Sequence, residues 1–444
     1  MSSLKVFAFI VLIALGSACP AYSQDASNQA AQATSITAEQ FQKLVSELRA
    51  HEERIKELEA ALAAKTSPAI NDHAMQPAAM GETSAPSPVA AVAAQSQVQA
   101  DPHDHMIQLP AGGPALKIRG FADFNLGVGQ SANALIFPLG APAHTTFQFG
   151  EFDLFLSSKL TKKISFVSEI IYGSDFTNAW GLDIERLLVT YKPSPYFEIS
   201  GGRFHTSIGY YNTTFHHGTW FQTATGRPFM YFFEDSGGLL PVHGVGISAT
   251  GLVPGSGRLG LHWVAEVSNG RSSDPNAKPV QIFLSDKDHK AFNFAGYVKP
   301  EWVPGLQVGG SYYRDRMVPS GFPDVNQSIG SFYAVYTNSN WESLNEIVLL
   351  GNRADGAGRT FYSPLGYAQI SRKFGVYRPY YRFQYVNVPA GDPINIFTGR
   401  YESHSAGLRM DFTTYVALKA QYNRLYQRVV APENGMDLQM AFTF

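Results

Sequence analysis

From Leu116 onward, apolar and polar positions alternate with a period of two along most of the chain. Met436, Leu438, Met440, Phe442 and Phe444 fall on one parity; Asp437, Gln439, Ala441 and Thr443 fall on the other. The same alternation sets Leu259, Leu261, Trp263, Ala265 and Val267 against Gly260, His262, Val264, Glu266 and Ser268. It also sets Phe152, Leu154 and Leu156 against Glu151, Asp153, Phe155 and Ser157. Successive strand side chains point to opposite faces, so each stretch folds as a ribbon with one apolar face and one polar or small face. The pattern predicts sixteen strands, at 116–129, 146–160, 164–174, 181–192, 196–209, 243–252, 257–268, 289–302, 305–316, 327–337, 341–352, 359–373, 376–387, 400–412, 415–429 and 435–444. Parity slips between Asp183 and Tyr191, which predicts a bulge there.

The connections alternate in length. Thr161-Lys162-Lys163, Pro193-Ser194-Pro195, Val253 to Ser256, Val303-Pro304, Ser339-Asn340, Gly375 and Thr413-Thr414 are tight. Between them lie longer segments, including 130–145, 210–242, 269–288 and 388–399. A soluble sandwich has no reason to segregate long loops to one side. A closed antiparallel barrel does this when one rim faces each side of a bilayer. The fold class expected is therefore all-β: a 16-stranded antiparallel transmembrane β-barrel over 114–444, preceded by a short α-helical coiled coil. An even strand count puts both barrel ends on the short-turn side, and sixteen strands leave an aqueous lumen.

Upstream the period changes. Phe41, Leu44, Leu48, Ile55, Leu58 and Leu62 recur at three-four spacing after the capping pattern Thr37-Ala38-Glu39-Gln40, which predicts a coiled-coil helix over 36–64. So short a helix is marginal alone and implies a partner. Arg54-Ile55-Lys56-Glu57-Leu58-Glu59 is similar to the Arg-h-x-x-h-Glu pattern of short trimeric coiled coils, which implies a homotrimer; the alternative is a lone amphipathic helix lying on another surface. Residues 65–113, rich in Ala, Pro, Ser and Gln, read as a flexible linker. Asp101, His103, Asp104 and His105 lie in it without a framework, so they do not specify a metal site. Lys5 followed by the apolar run Val6 to Leu15, with Ala21-Tyr22-Ser23 ahead of Gln24, reads as a signal peptide over 1–23, with a short segment 24–35 after it. Cys19, the single cysteine, offers a lipid-attachment reading, against which Gly16 is a poor fit.

Composition narrows the function. Net charge is −2, which argues against a nucleic-acid partner; 40 glycines and 13 % aromatics suit many strands and turns. Beyond residue 20 no run of 18 apolar residues occurs, so no helix is expected to cross a bilayer, while a barrel strand needs only about 9–11 alternating residues. No cofactor is called for by any motif.

The closing strand with its terminal Phe444 resembles the C-terminal signature of bacterial outer-membrane β-barrels, and the chain from 116 resembles sixteen-stranded bacterial porins. The approach Gly202-Arg203-Phe204-His205-Thr206-Ser207-Ile208-Gly209 is similar to the strand leading into the third loop of phosphate-selective and dicarboxylate-type porins, and the coiled coil is similar to that of the dicarboxylate type. The resemblance implies that 210–242, crowded with Phe215, Trp220, Phe221, Phe229, Tyr231, Phe232 and Phe233, folds into the lumen as a constriction. Arg203, His205, His216, His217, Arg227, Glu234 and Asp235 would then line it, opposite Arg378, Arg382, Arg409 and Asp411 on the wall. Residues 114–444 carry 28 Lys/Arg and 25 Asp/Glu, and from Arg353 the balance is 11 to 6. Arginine forks suit carboxylate and phosphate, which favours a weakly anion-preferring passage for small hydrophilic solutes. Arg424 and Arg428, near the rim, would meet lipopolysaccharide phosphates or a neighbouring subunit. The alternative is a plugged barrel with a structural or adhesive role.

An enzyme is not expected. Ser268-Asn269-Gly270-Arg271 resembles the site of outer-membrane phospholipase A, whose nucleophile follows a His-x-Ser pattern, but the residue two before Ser268 is Glu266. Without an imidazole the hydroxyl has no general base. His404 and Ser405, adjacent in a strand, project to opposite faces and make no dyad.

Overall fold

The computed structural model describes residues 105–107, 113–129, 145–174, 179–215, 218–233, 238–272, 284–319, 322–395, 398–428 and 430–444. All belong to the second of two units, Ala90–Phe444. The coiled-coil positions Phe41, Leu44, Leu48, Ile55, Leu58 and Leu62, the signal segment and Cys19 lie outside the described residues.

Seventeen strands follow in order: β1 (His105–Ile107), β2 (Leu116–Gly129), β3 (Thr146–Lys159), β4 (Ile164–Ser174), β5 (Trp180–Ser194), β6 (Phe197–His205), β7 (His243–Leu252), β8 (Leu261–Ser268), β9 (Ala291–Val298), β10 (Leu306–Met317), β11 (Val325–Thr337), β12 (Trp341–Ala354), β13 (Phe361–Arg372), β14 (Tyr377–Asn387), β15 (Arg400–Asp411), β16 (Val416–Gln427) and β17 (Val430–Thr443). Each of β2 to β17 pairs antiparallel with its neighbours in sequence, and β17 pairs with β2 from Thr443↔Phe121 to Gly435↔Gly129. The result is a closed sixteen-stranded antiparallel barrel, in which no wall strand is left as an edge.

The seam is sealed by Phe444. Its backbone exchanges hydrogen bonds with Gly120 at 2.8 and 3.0 Å, and its ring stacks on Phe152 at 5.7 Å. A Cβ on residue 120 would fall 2.2 Å from that ring, so glycine is what lets the ring lie flat. β17 stops before the first residues of β2, and there the three-residue β1, within the stretch read as linker, pairs His105 to Ile107 with Ile118 to Leu116. That pairing takes up backbone groups that β17 does not reach.

Outward positions are large and apolar, among them Phe294, Phe332, Ile347 and Met436, all exposed on the isolated chain. Inward positions are polar, as with Asp437 and Gln439 on β17 and Gln421 and Asn423 on β16. The parity slip expected between Asp183 and Tyr191 is a bulge: Glu169 pairs with Arg186 and Ile170 with Ile184, which leaves Glu185 as the extra residue.

Candidate functional site

The segment between β6 and β7, residues 206–242, is held against the inner face of the barrel on side chains from many strands. Its two legs are stitched together first. The Thr206 amide donates to the Val242 carbonyl at 3.0 Å, and Asn212 Nδ2 donates to both Thr206 O and Val242 O at 2.9 and 2.8 Å. On the outgoing leg the Ser207 amide and hydroxyl donate to the Glu266 carboxylate on β8, at 3.0 and 2.8 Å. That carboxylate, two residues before Ser268, also accepts from Asn293 Nδ2 at 2.7 Å.

Next comes a hub on β12. Glu346 accepts the backbone amides of Tyr210 and Tyr211 at 2.7 and 2.8 Å, the Tyr231 hydroxyl at 2.7 Å and the Tyr367 hydroxyl of β13 at 2.6 Å. Gly209, at φ +78°, sits against it. A Cβ there would fall 1.7 Å from the Tyr231 hydroxyl, so both backbone conformation and space require glycine. Tyr211 stacks on Tyr231 at 5.7 Å and donates to Gln222 Oε1 at 2.9 Å. Burial pushes the Tyr211 phenol up to about 12 and the Tyr231 phenol well above its ordinary value, so both remain donors. Four residues from Glu346, Glu342 accepts from Thr223 Oγ1 at 3.1 Å and from Gln369 at 2.7 Å.

Beyond the hub, cations grip carbonyls. Arg382 on β14 donates to Gly226 O at 2.6 Å, and Arg409 on β15 donates to Trp220 O and Gln222 O at 2.6 and 2.9 Å. Lys419 on β16 donates to Thr219 O and Ala224 O at 2.5 and 3.1 Å. Arg378, Arg409 and Lys419 are direct cross-strand partners, an arrangement that costs energy between like charges unless something compensates. Asp411, 2.7 Å from Arg409, offsets part of it, and the loop carbonyls that accept from Arg409 and Lys419 offset more. On β17, Asp437 accepts from Thr225 Oγ1 at 3.2 Å, and Gln439 donates to Thr225 O at 3.0 Å. Phe229 N donates to Gln384 at 2.8 Å. The returning leg is clamped by Arg271, which donates to Leu239 O and Gly238 O at 3.0 and 3.3 Å. The Arg271 amide donates to Asp315, itself 2.8 Å from Lys287.

The positions singled out in sequence thus fall in different places: on the wall, within the loop, in a separate knot, and outside the described residues. Arg382 (2 % exposed) and Arg409 meet the loop from the wall, Asp411 pairs with Arg409 and Lys373 at 2.7 and 3.0 Å, and Arg378 donates to Ser371 at 3.3 Å. Arg227 lies within the loop, its guanidinium 3.6 Å over the Phe233 ring. Arg203 and His205 belong to a separate knot where β5 and β6 part at the bulge. Glu185 receives Arg203 Nε on its carbonyl at 3.0 Å and contacts His243 through its carboxylate. Glu169 takes Arg186 at 2.6 Å and lies 3.6 Å from His205. His216, His217, Glu234 and Asp235 lie outside the described residues.

Sequence reasoning missed Glu346, Glu342, Lys419 and Gln439. Their one available signal was polar character at inward parity in the middle of strands, which every lumen-facing residue shares. Among the described residues no group of His, Cys, Asp and Glu is arranged to hold a metal.

No family profile and no curated protein sequence matches the chain. Solved structures do. An anion-selective porin from Comamonas acidovorans superposes with a TM-score of 0.53 at 10 % identity, covering 74 % of this chain and 100 % of that one. OmpF of Salmonella typhi, in complex with daunomycin, gives 0.53 at 12 %, covering 75 % and 98 %. The outer-membrane channel DcaP of Acinetobacter baumannii gives 0.51 at 10 %, covering 75 % and 98 %. At such identities the likeness speaks for architecture, and the closed sixteen-stranded antiparallel barrel of this chain is the fold of bacterial outer-membrane porins.

Proposed function

We propose that this protein is an outer-membrane channel that passes small hydrophilic solutes down their gradients, with 206–242 as its constriction. The observation that carries the reading is the inward loop: a closed barrel, apolar outside and polar within, holds a long segment against its inner wall by side chains of β8, β12 and β14 to β17. A loop so fixed narrows the passage and sets which charges a solute meets. The short turns lie on the periplasmic side in this reading, together with a trimerising coiled coil over 36–64, and the long loops face outward.

A weak preference for anions follows from the carbonyl grip. Arg382, Arg409 and Lys419 draw the carbonyls of Thr219, Trp220, Gln222, Ala224 and Gly226 toward the wall. The positive ends of those peptide dipoles turn away from it, adding to the excess of cations on β14 to β16. The solute is of carboxylate or phosphate type in this reading, and no cofactor takes part.

Planar-bilayer recording tests the proposal. Stable conductance steps grouped in threes are expected, with a reversal potential of anionic sign in a KCl gradient; cation selectivity would refute the preference. The burial of Tyr211, Met230 and Tyr231, each 1 % exposed or less, favours the second reading of a plugged barrel with a structural or adhesive role. Silent bilayers would select it. Trimers unchanged on native gels after deletion of 36–64 would remove the coiled coil from the assembly.

A further inference from the structure

The outer wall changes character toward the long loops of β14 to β16, and the strand register orders that change. Tyr377, Met410, Leu418 and Met440 form one outward row, and Leu408, Ala420 and Leu438 share the next. Tyr381, Ala406, Tyr422 and Met436 follow, then Phe383, His404, Arg424 and Asn434, then Tyr385, Glu402 and Tyr426. Rows two residues apart are separated by roughly 7 Å. Within about 14 Å the wall therefore passes from aliphatic to aromatic to cationic, the profile of a surface rising out of hydrocarbon into headgroups.

The cations at the top are presented outward. Arg424 lies 5.3 Å over the Tyr426 ring and Arg400 lies 5.5 Å over Tyr385, so each guanidinium sits beside a ring on the outer face. Arg428 follows, exposed, at the end of β16. Three guanidiniums face one outward carboxylate, Glu402, which is 3.4 Å from Arg400 in a solvent-exposed pair of little strength. The contrast is Arg316 on β10, whose guanidinium is divided between Asp324 and Asp355 at 2.8 and 2.6 Å.

We propose that this face binds the phosphate of a phosphorylated lipid of the outer leaflet, with Arg424 and Arg428 as its main donors and Arg400 beside them. Tyr381 and Tyr422 border the acyl region beneath. Guanidinium forks match phosphate geometry, and the rings beside Arg424 and Arg400 limit the freedom of their side chains. The inference rests on the reading of this barrel as a membrane channel, but not on the loop or on any selectivity.

Native mass spectrometry of the full-length protein in detergent, with lipopolysaccharide as probe, tests it. Arg424→Gln with Arg428→Gln should weaken retention by roughly tenfold or more, as expected for two lost charge-assisted contacts, and Glu402→Gln should strengthen it. Dephosphorylated lipopolysaccharide should bind the wild type no better than the double variant, and inorganic phosphate should not compete at equal concentration. Equal retention by wild type and double variant, or undiminished binding of the dephosphorylated lipid, would overturn the proposal. So would trimers that fall apart in the double variant while lipid retention stays intact, which would make the face a subunit contact. Conductance recorded on the same samples separates the two readings: normal channels with no lipid effect sink the lipid site alone.

Discussion

Two carboxylate-centred clusters sit on the barrel wall, and they differ in kind. Around Glu346 the donors are neutral, two backbone amides and two phenols, and three of the four belong to the loop. Around Glu169 and Glu185 the partners are Arg186, Arg203, His205 and His243, all on wall strands. The first fixes the loop across the lumen; the second fixes its roots where β5 and β6 diverge. A ring of neutral donors around one buried acceptor depends on geometry, because every donor loses its partner if that acceptor goes. The charged knot shares its load among several pairs, so single losses are softened.

Substituting the centres breaks the comparison most directly. Glu346→Ala strands four donors and should cost about 4 kcal/mol of loop docking. It should appear as protease cleavage within 206–242 and as noisy, enlarged single-channel currents on an intact barrel. Gly209→Ala, which forces a Cβ against the Tyr231 hydroxyl at positive φ, should reproduce that phenotype at about 3 kcal/mol. Glu185→Gln keeps the shape of the knot but removes one charge, and should lower the unfolding free energy of the whole barrel by about 2 kcal/mol in urea titration, leaving current noise unchanged. Lys419→Gln combined with Arg409→Gln should leave the fold in place and reduce the anion-to-cation permeability ratio about twofold, near 0.4 kcal/mol. A loop released by Glu185→Gln, or a barrel unfolded by Glu346→Ala, would erase the distinction between the clusters.

Much of the fold was legible because a barrel wall repeats one simple constraint. Fifteen of the sixteen strand starts follow within a few residues from alternation and turn chemistry; the exception, β17, begins at Val430 rather than 435, since only a two-residue link separates it from β16. The slip between Asp183 and Tyr191 was readable as a bulge, but not that it would turn Glu185 toward Arg203 and His243. The aromatic density of 210–242 pointed to burial, and Arg382 and Arg409 stood out by parity and charge. Glu346 did not, because two of its four partners are amides more than 130 residues earlier, and a backbone N–H carries no residue identity to read. Lys419 was hidden similarly, its carbonyl partners lying some 200 positions upstream. β1 was invisible because its three residues serve only to finish a ladder that β17 leaves short.

The distance between Tyr210 and Glu346 along the polypeptide has a consequence for biogenesis. The loop is synthesised long before β12 to β17 exist to receive it, and its last anchors, Asp437 and Gln439, follow Thr225 by 212 and 214 residues. Contacts of such long range form late. The cylinder therefore completes itself around a segment still waiting for its moorings, and docking that segment is the closing act of assembly.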